Sequence, residues 1–142
     1  MEIEGHFLQD NKAIMRYFIE QVQEGRRVDL IDRFVAEGYV NHTPPPGATS
    51  DREGMKGIFE ALHGAFPDLE VEIVRQVSDE DTVATYKIFR GTHAGDWRGI
   101  AATGLRVEIP LIDMVRFRDG LMTEHWAVLN EAAPMRQLGV IR

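Results

Sequence analysis

The sequence predicts an α+β fold with its helices early and its sheet late. Three observations lead there. Apolar residues recur at helical spacing up to Phe66, apolar and polar residues alternate at strand spacing from Leu69 onward, and Asp119-Gly120 separates two such strands as a hairpin turn would. The order is helix, helix, short strand, helix and then four long strands. A strongly curved, mainly antiparallel sheet wrapped around those helices would leave a conical hollow lined by both layers.

Each element has its own signal. Asp10 can cap a helix running from Asn11 to about Glu24, with Ile14, Met15, Phe18, Ile19 and Val22 as its buried stripe, Tyr17 at its margin and Gly25 as its stop. Asp29 can cap a second, shorter helix carrying Leu30, Ile31, Phe34 and Val35, closed by Gly38. Tyr39 to His42 reads as a brief extended piece, and Thr43-Pro44-Pro45-Pro46-Gly47 continues neither a helix nor a central strand. Ser50 with Glu53 makes a capping box for a third helix, which Pro67 ends. Strands follow over Leu69 to Ser78 and Thr82 to His93. Ala94 to Gly104 reads as a loop, and Leu105 to Arg118 as a strand bent or bulged near Pro110, which has no N–H for the ladder. After the hairpin, Pro134 can start a last helical turn that Gly139 ends.

Composition narrows the class of function. At 142 residues the chain is expected to be one domain, 1–142, large enough to enclose a cavity. Subtracting 23 acidic from 16 basic residues gives a net charge of -7, and the basic residues are scattered, so nucleic acid is not an expected partner. No apolar run reaches membrane-spanning length, and MEIEGHF lacks the pattern of a secretory leader, so a cytoplasmic protein is expected. The absence of cysteine excludes disulfides and thiolate chemistry. The five histidines show no His-x-His or His-x-x-x-His pairing, so no metal is expected, and no glycine cluster opens a helix as a phosphate loop would.

The chemistry-bearing stretch is LIDMVRFRDGLMTEHWAVLN, residues 111–130. Asp113 is the one carboxylate in an apolar row with Leu111, Val115 and Phe117. A tight two-residue turn at Asp119-Gly120 sets Asp113 opposite Trp126 and faces His125 away from it. A type I turn at Arg118-Asp119 with Gly120 in a bulge slides the pairing by one and sets Asp113 opposite His125. The second arrangement is preferred, because it leaves two polar groups on a concave apolar wall.

These stretches resemble the SnoaL-like polyketide cyclases of the NTF2-like superfamily, on NKAIMRYFIEQV, LIDRFVAEGYVNHTPPPG, AFPDLEVEI, FRGTHAGDWRGIAATG, and IDMVRFRDGLMTEHW followed by MRQLG. The resemblance covers nearly the whole chain. It implies a cone-shaped α+β barrel with three N-terminal helices, a buried pocket, no obligatory cofactor and a homodimer through the outer face of the sheet. IDMVRF is also similar to the ketosteroid isomerase strand that carries a proton-donating aspartic acid, which places Asp113 on that residue and Tyr17 near that family's tyrosine donor. At that family's basic aspartate this chain has Asn41-His42. Many polyketide cyclase relatives carry Asp directly after a His-Trp pair; this chain has Ala127, which transfers the burden to Asp113 and two histidines.

The expected chemistry is removal of a proton from carbon next to a carbonyl, which needs a base and a donor aimed at the oxygen that gains charge. Asp113, kept protonated by burial in an apolar site as the corresponding aspartic acid of ketosteroid isomerase is, is the expected donor or acid. His42, held beside the proline loop, is the first candidate base, and His125 is either a competing base or the partner that sets the ionisation of Asp113. Tyr17, His93, Trp97, Ala127 and Leu129 are the expected substrate contacts, Trp126 is expected in the core, and Lys87 on a solvated surface. The substrate is expected to be a small hydrophobic carbonyl compound. The alternative is a carrier that uses the same hollow without chemistry.

Overall fold

In the computed structural model, which describes residues 10–142, the Asp10 side chain accepts the Ala13 N–H at 3.1 Å and opens helix α1 (Asn11–Phe18). MEIEGHF therefore lies outside the described residues. Ile14, Met15 and Phe18 are buried as their spacing requires, and the chain winds on as a π-helical turn, Ile19–Glu24, that buries Ile19, Val22 and Gln23. The stop is not made by Gly25 alone. Gly25 keeps a right-handed backbone while Arg26 takes the left-handed one, φ 64°. Glycine is needed at 25 for space, because a Cβ there would sit 2.5 Å from the Gln21 carbonyl oxygen.

The second helix is shorter than its sequence signals suggest. A 3₁₀ turn (Val28–Leu30) leads into α2 (Ile31–Phe34), and β1 (Val35–Asn41) begins at once. Gly38 lies inside β1, and Asp29 grips the Arg27 guanidinium at 2.9 Å rather than capping. Val35 pairs with Met122 of a later strand, so long-range pairing overrides the local stop. Helix α3 (Arg52–Ala65) starts one residue later than expected, capped by Asp51, which accepts the Gly54 N–H at 2.8 Å.

Four strands follow: β2 (Glu70–Ser78), β3 (Thr82–Thr92), β4 (Arg106–Arg118) and β5 (Leu121–Leu129), before helix α4 (Ala132–Gln137). The sheet order is β1-β5-β4-β3-β2, antiparallel except for the β1–β5 pair. It is an open sheet with β1 and β2 at its edges, not a closed barrel. Pro110 causes no bulge against β3, where it pairs in register with Ile88. Its carbonyl accepts Asn130 N–H at 3.1 Å just past the end of β5, so its missing N–H costs only the return bond of that terminal pair.

The inner face of the sheet packs in two clusters. Val83, Val115, Phe117 and Met122 meet α1, its π-helical turn, α2 and α3 through Phe18, Phe34 and Phe59. Phe89, Val107, Ile109 and Leu111 meet Phe66, Trp97 and Leu138. A cavity opens between them. Among the described residues no helix is long and apolar enough to cross a membrane.

The β4–β5 hairpin follows neither expected register. Asp119 and Gly120 both have positive φ, 52° and 78°, and form a tight turn in which Arg118 faces Leu121. The register then shifts between Arg116 and Phe117, so that Thr123 is an extra residue on β5. Beyond it Asp113 faces Ala127 and Val115 faces His125. The face is the one the preferred register requires, because a slip of two residues restores what a slip of one inverts.

Candidate active site

Three adjacent strands bring the polar centre together. Asp113, on central β4, is flanked diagonally by Lys87 of β3, which faces Leu111, and by His125 of β5, which faces Val115. Asp113 is 3% exposed and Lys87 1%. Lys87 Nζ lies 2.9 Å from Asp113 Oδ2 and donates to Gln23 Oε1 at 3.2 Å. Its charge also stands 5.5 Å from the centre of the Phe89 ring. The expectation of a surface lysine is therefore corrected: alternation along β3 puts Lys87 on the inner face with Val83, Thr85 and Phe89, and a buried carboxylate compensates its charge.

His125 is oriented by β1. Asn41 Oδ1 accepts the Thr43 backbone N–H at 3.0 Å, which identifies that atom as the amide oxygen, and it also lies 3.0 Å from His125 Nδ1. An oxygen acceptor there requires the proton on Nδ1. His125 Nε2 is thereby turned to Asp113 Oδ2, 3.5 Å away. Asp113 Oδ1 is buried and has no hydrogen-bond partner.

Burial alone would raise the Asp113 carboxyl. The Lys87 charge and His125 outweigh burial and hold it below its ordinary value. This reverses the expected protonated donor, because the lysine makes the carboxylate the favoured form. Tyr39, buried close by, is shifted upward by burial and then by the Asp113 charge, so it stays a neutral phenol.

The cavity in front of this centre has a volume of about 850 Å³, in the usual range for a small-molecule site. Phe89, Ile109, Leu111, Ala127 and Leu129 form its sheet wall, with Ile58, Phe59 and Leu62 of α3 opposite. The proline loop and Trp97 complete its lining. A smaller chamber of about 60 Å³ continues inward past Asp113 and His125 to Tyr39.

The structure thus brings together Asp113, His125, Trp97, Ala127 and Leu129 of the residues singled out in the sequence. It does not bring in the others. His42 follows the inward-facing Asn41 on an extended strand end, so it turns to the outer face, stacks on Trp126 at 4.7 Å and meets Glu124 Oε1 at 3.1 Å. That also corrects Trp126, which is half-buried on the outer face rather than in the core. Tyr17 packs on Phe34 at 5.9 Å, away from the cavity lining. His93 is wholly buried against Phe66, with Nδ1 3.0 Å from Thr103 Oγ1, and does not reach the cavity. Lys87 had been expected at the surface, and Gln23, Asn41 and Tyr39 had been given no role in the site. Among the described residues no three His, Asp or Glu side chains gather as a metal site.

The profile of the SnoaL-like polyketide cyclase family matches residues 13–138. The chain belongs to that family. Among solved structures, this SnoaL-like chain is similar to wild-type IdmH of Streptomyces antibioticus, a candidate polyketide cyclase, at 30% identity and TM-score 0.79 over 92% of this chain and 99% of that one. It is also similar to AclR of Streptomyces galilaeus, a candidate hydroxylase, at 27% identity and TM-score 0.83 over 95% and 99%. TsrD from Streptomyces laurentii matches at 25% identity and TM-score 0.82 over 92% and 95%. No curated protein matches the SnoaL-like chain.

Proposed function

We propose that the chain is a cofactor-independent enzyme that enolises a small hydrophobic carbonyl compound, in an aldol-type cyclisation or an isomerisation. The carrying observation is the unpartnered Asp113 Oδ1, buried on a residue that lines the cavity beside His125 and Lys87. A substrate carbonyl entering between the apolar walls meets the remaining N–H of Lys87, whose other two protons are held by Asp113 and Gln23. Asp113 takes the α-proton, and the ammonium stabilises the oxygen as it gains charge. His125, its Nδ1–H held by Asn41, turns Nε2 to the same carboxylate and orients it. Kinship with candidate cyclases supports the same direction. His42, on the outer face, takes no part.

The test is deuterium exchange at the α-carbon of a panel of cyclic ketones in heavy water, followed by proton NMR, for native protein and Asp113→Asn. Native protein exchanges above the buffer rate, and the variant loses about 10²–10⁴-fold, the usual contribution of a positioned base. Ketone binding without exchange would leave a carrier in its place.

We also propose a homodimer through the outer face of the sheet. Tyr86, Ile112 and Val128 form one exposed cross-strand row there, and in the next row half-buried Ala84 and Trp126 flank exposed Met114.

A further inference from the structure

Of the chain's three lysines, Lys12, Lys56 and Lys87, two lie on α1 and α3 within reach of solvent and the third is the only buried cationic side chain among the described residues. The other thirteen basic residues are arginines, the sixteen less these three. A buried cation whose sole task is to balance Asp113 is better served by arginine, which never loses its proton and can grip a carboxylate with two N–H groups. A lysine differs in one respect: its nitrogen can give up a proton and become a nucleophile.

We infer that Lys87 Nζ forms a covalent imine with a small apolar aldehyde or ketone bound in the cavity. The inference rests on the carbonyl-binding reading above and adds a covalent step to it. The elements of that step are in place. Lys87 lines the 850 Å³ cavity, and Asp113 Oδ2, 2.9 Å from Nζ, can accept its proton. Gln23 Oε1, fixed by the π-helical turn, holds Nζ in position through the exchange. Phe89, Ile109 and Leu111 surround the approach with apolar surface, which favours loss of water over its return.

The proton moves from Nζ to Asp113, and the freed lone pair adds to the carbonyl carbon as the C=O π electrons move to oxygen. That oxygen collects two protons, one from the nitrogen and one returned by Asp113, and leaves as water. The product is a protonated imine, so one ammonium and one carbonyl give one iminium and one water, with no oxidant or reductant. The positive charge stays beside Asp113 at the end, and the buried carboxylate is left paired. The iminium draws electrons more strongly than the parent carbonyl, so its α-proton is more acidic and more readily lost to Asp113.

The experiment treats native protein with hexanal or cyclohexanone in the presence of sodium cyanoborohydride, which reduces iminium to a stable secondary amine, and maps the adduct by peptide mass spectrometry. Reduced adduct concentrated on Lys87, above Lys12 and Lys56, is the expected result. Lys87→Arg, which keeps the charge beside Asp113, loses it. No adduct on Lys87, or no preference for it over Lys12 and Lys56, overturns the inference. Ketone α-exchange measured on the same samples separates the two readings. Exchange without adduct removes the imine alone, and neither signal removes the enolising function as well.

Discussion

At the scale of single residues, the site depends on which atom carries which proton. Asn41 holds the Nδ1–H of His125, and without it the ring is free to take the other tautomer or turn from Asp113. Asn41→Ala should lower α-exchange within the roughly 10²–10⁴-fold that a positioned base supplies. His42→Ala should leave it unchanged, since that imidazole stands on the opposite face against Glu124 and Trp126. Equal losses in the two variants would refute the assignment of His125. The Lys87–Asp113 pair invites a separate measurement by urea unfolding. Lys87→Met alone strands a buried carboxylate and should cost about 3–5 kcal/mol, whereas Lys87→Met with Asp113→Leu replaces both charges by apolar groups and should recover most of it. A double variant as unstable as the single one would show that packing, not charge, dominates. Asp113 was legible because a lone carboxylate in an alternating apolar row has to be explained. Lys87 stood in an equally clear row, but residue type argued for the surface, and only a partner on the neighbouring strand, 26 positions on in sequence, reverses that.

At the scale of elements, alternation and the Asp10 cap were readable because they are local, whereas Asp29 and Ser50 lost their caps to Arg27 and Asp51 beside them. The larger failures came where a distant partner decides. The place of the turn could be read, but its tight Asp119-Gly120 form was the one not preferred, and the bulge at Thr123 that restores the inner face of His125 has no glycine to announce it. The π-helical turn was also hidden, since Ile19 and Val22 keep a helical stripe in either geometry. That turn is tied to α3 by His63, whose Nε2–H donates to the Gln23 carbonyl at 2.7 Å, and it carries the Gln23 side chain that holds Lys87. Burial pushes His63 below its ordinary value of 6.5, the Gln23 carbonyl partly restores it, and the Arg26 charge lowers it again. A histidine that binds protons more weakly in the folded state leaves stability untouched above 6.5 and subtracts from it below, because the unfolded chain takes up the proton first. The urea midpoint should therefore fall between about pH 7.5 and about pH 5.5, and His63→Gln should flatten that fall. A midpoint with the same pH slope in both proteins would remove His63 as its source.

At the scale of the whole molecule, the sheet has two apolar faces and only one is covered by helices. Val128 is 79% exposed and Ile112 52%, side by side on neighbouring strands in the middle of the sheet and not at its edge. Flanked by Tyr86 and Met114, they form a contiguous apolar surface of the kind that monomers seldom leave to water. A second copy presenting the same row about a two-fold axis covers it without any further component. Ile112→Glu introduces a charge at the centre of such an interface, where it meets its own symmetry mate, and should convert the proposed dimer to monomer in sedimentation velocity. The cavity lies on the opposite face and takes every lining side chain described from one chain, so α-exchange per protomer should survive the substitution. A native protein that sediments as a monomer at high concentration would refute the dimer. Loss of exchange with the fold intact would mean that the outer face shapes the cavity through the sheet.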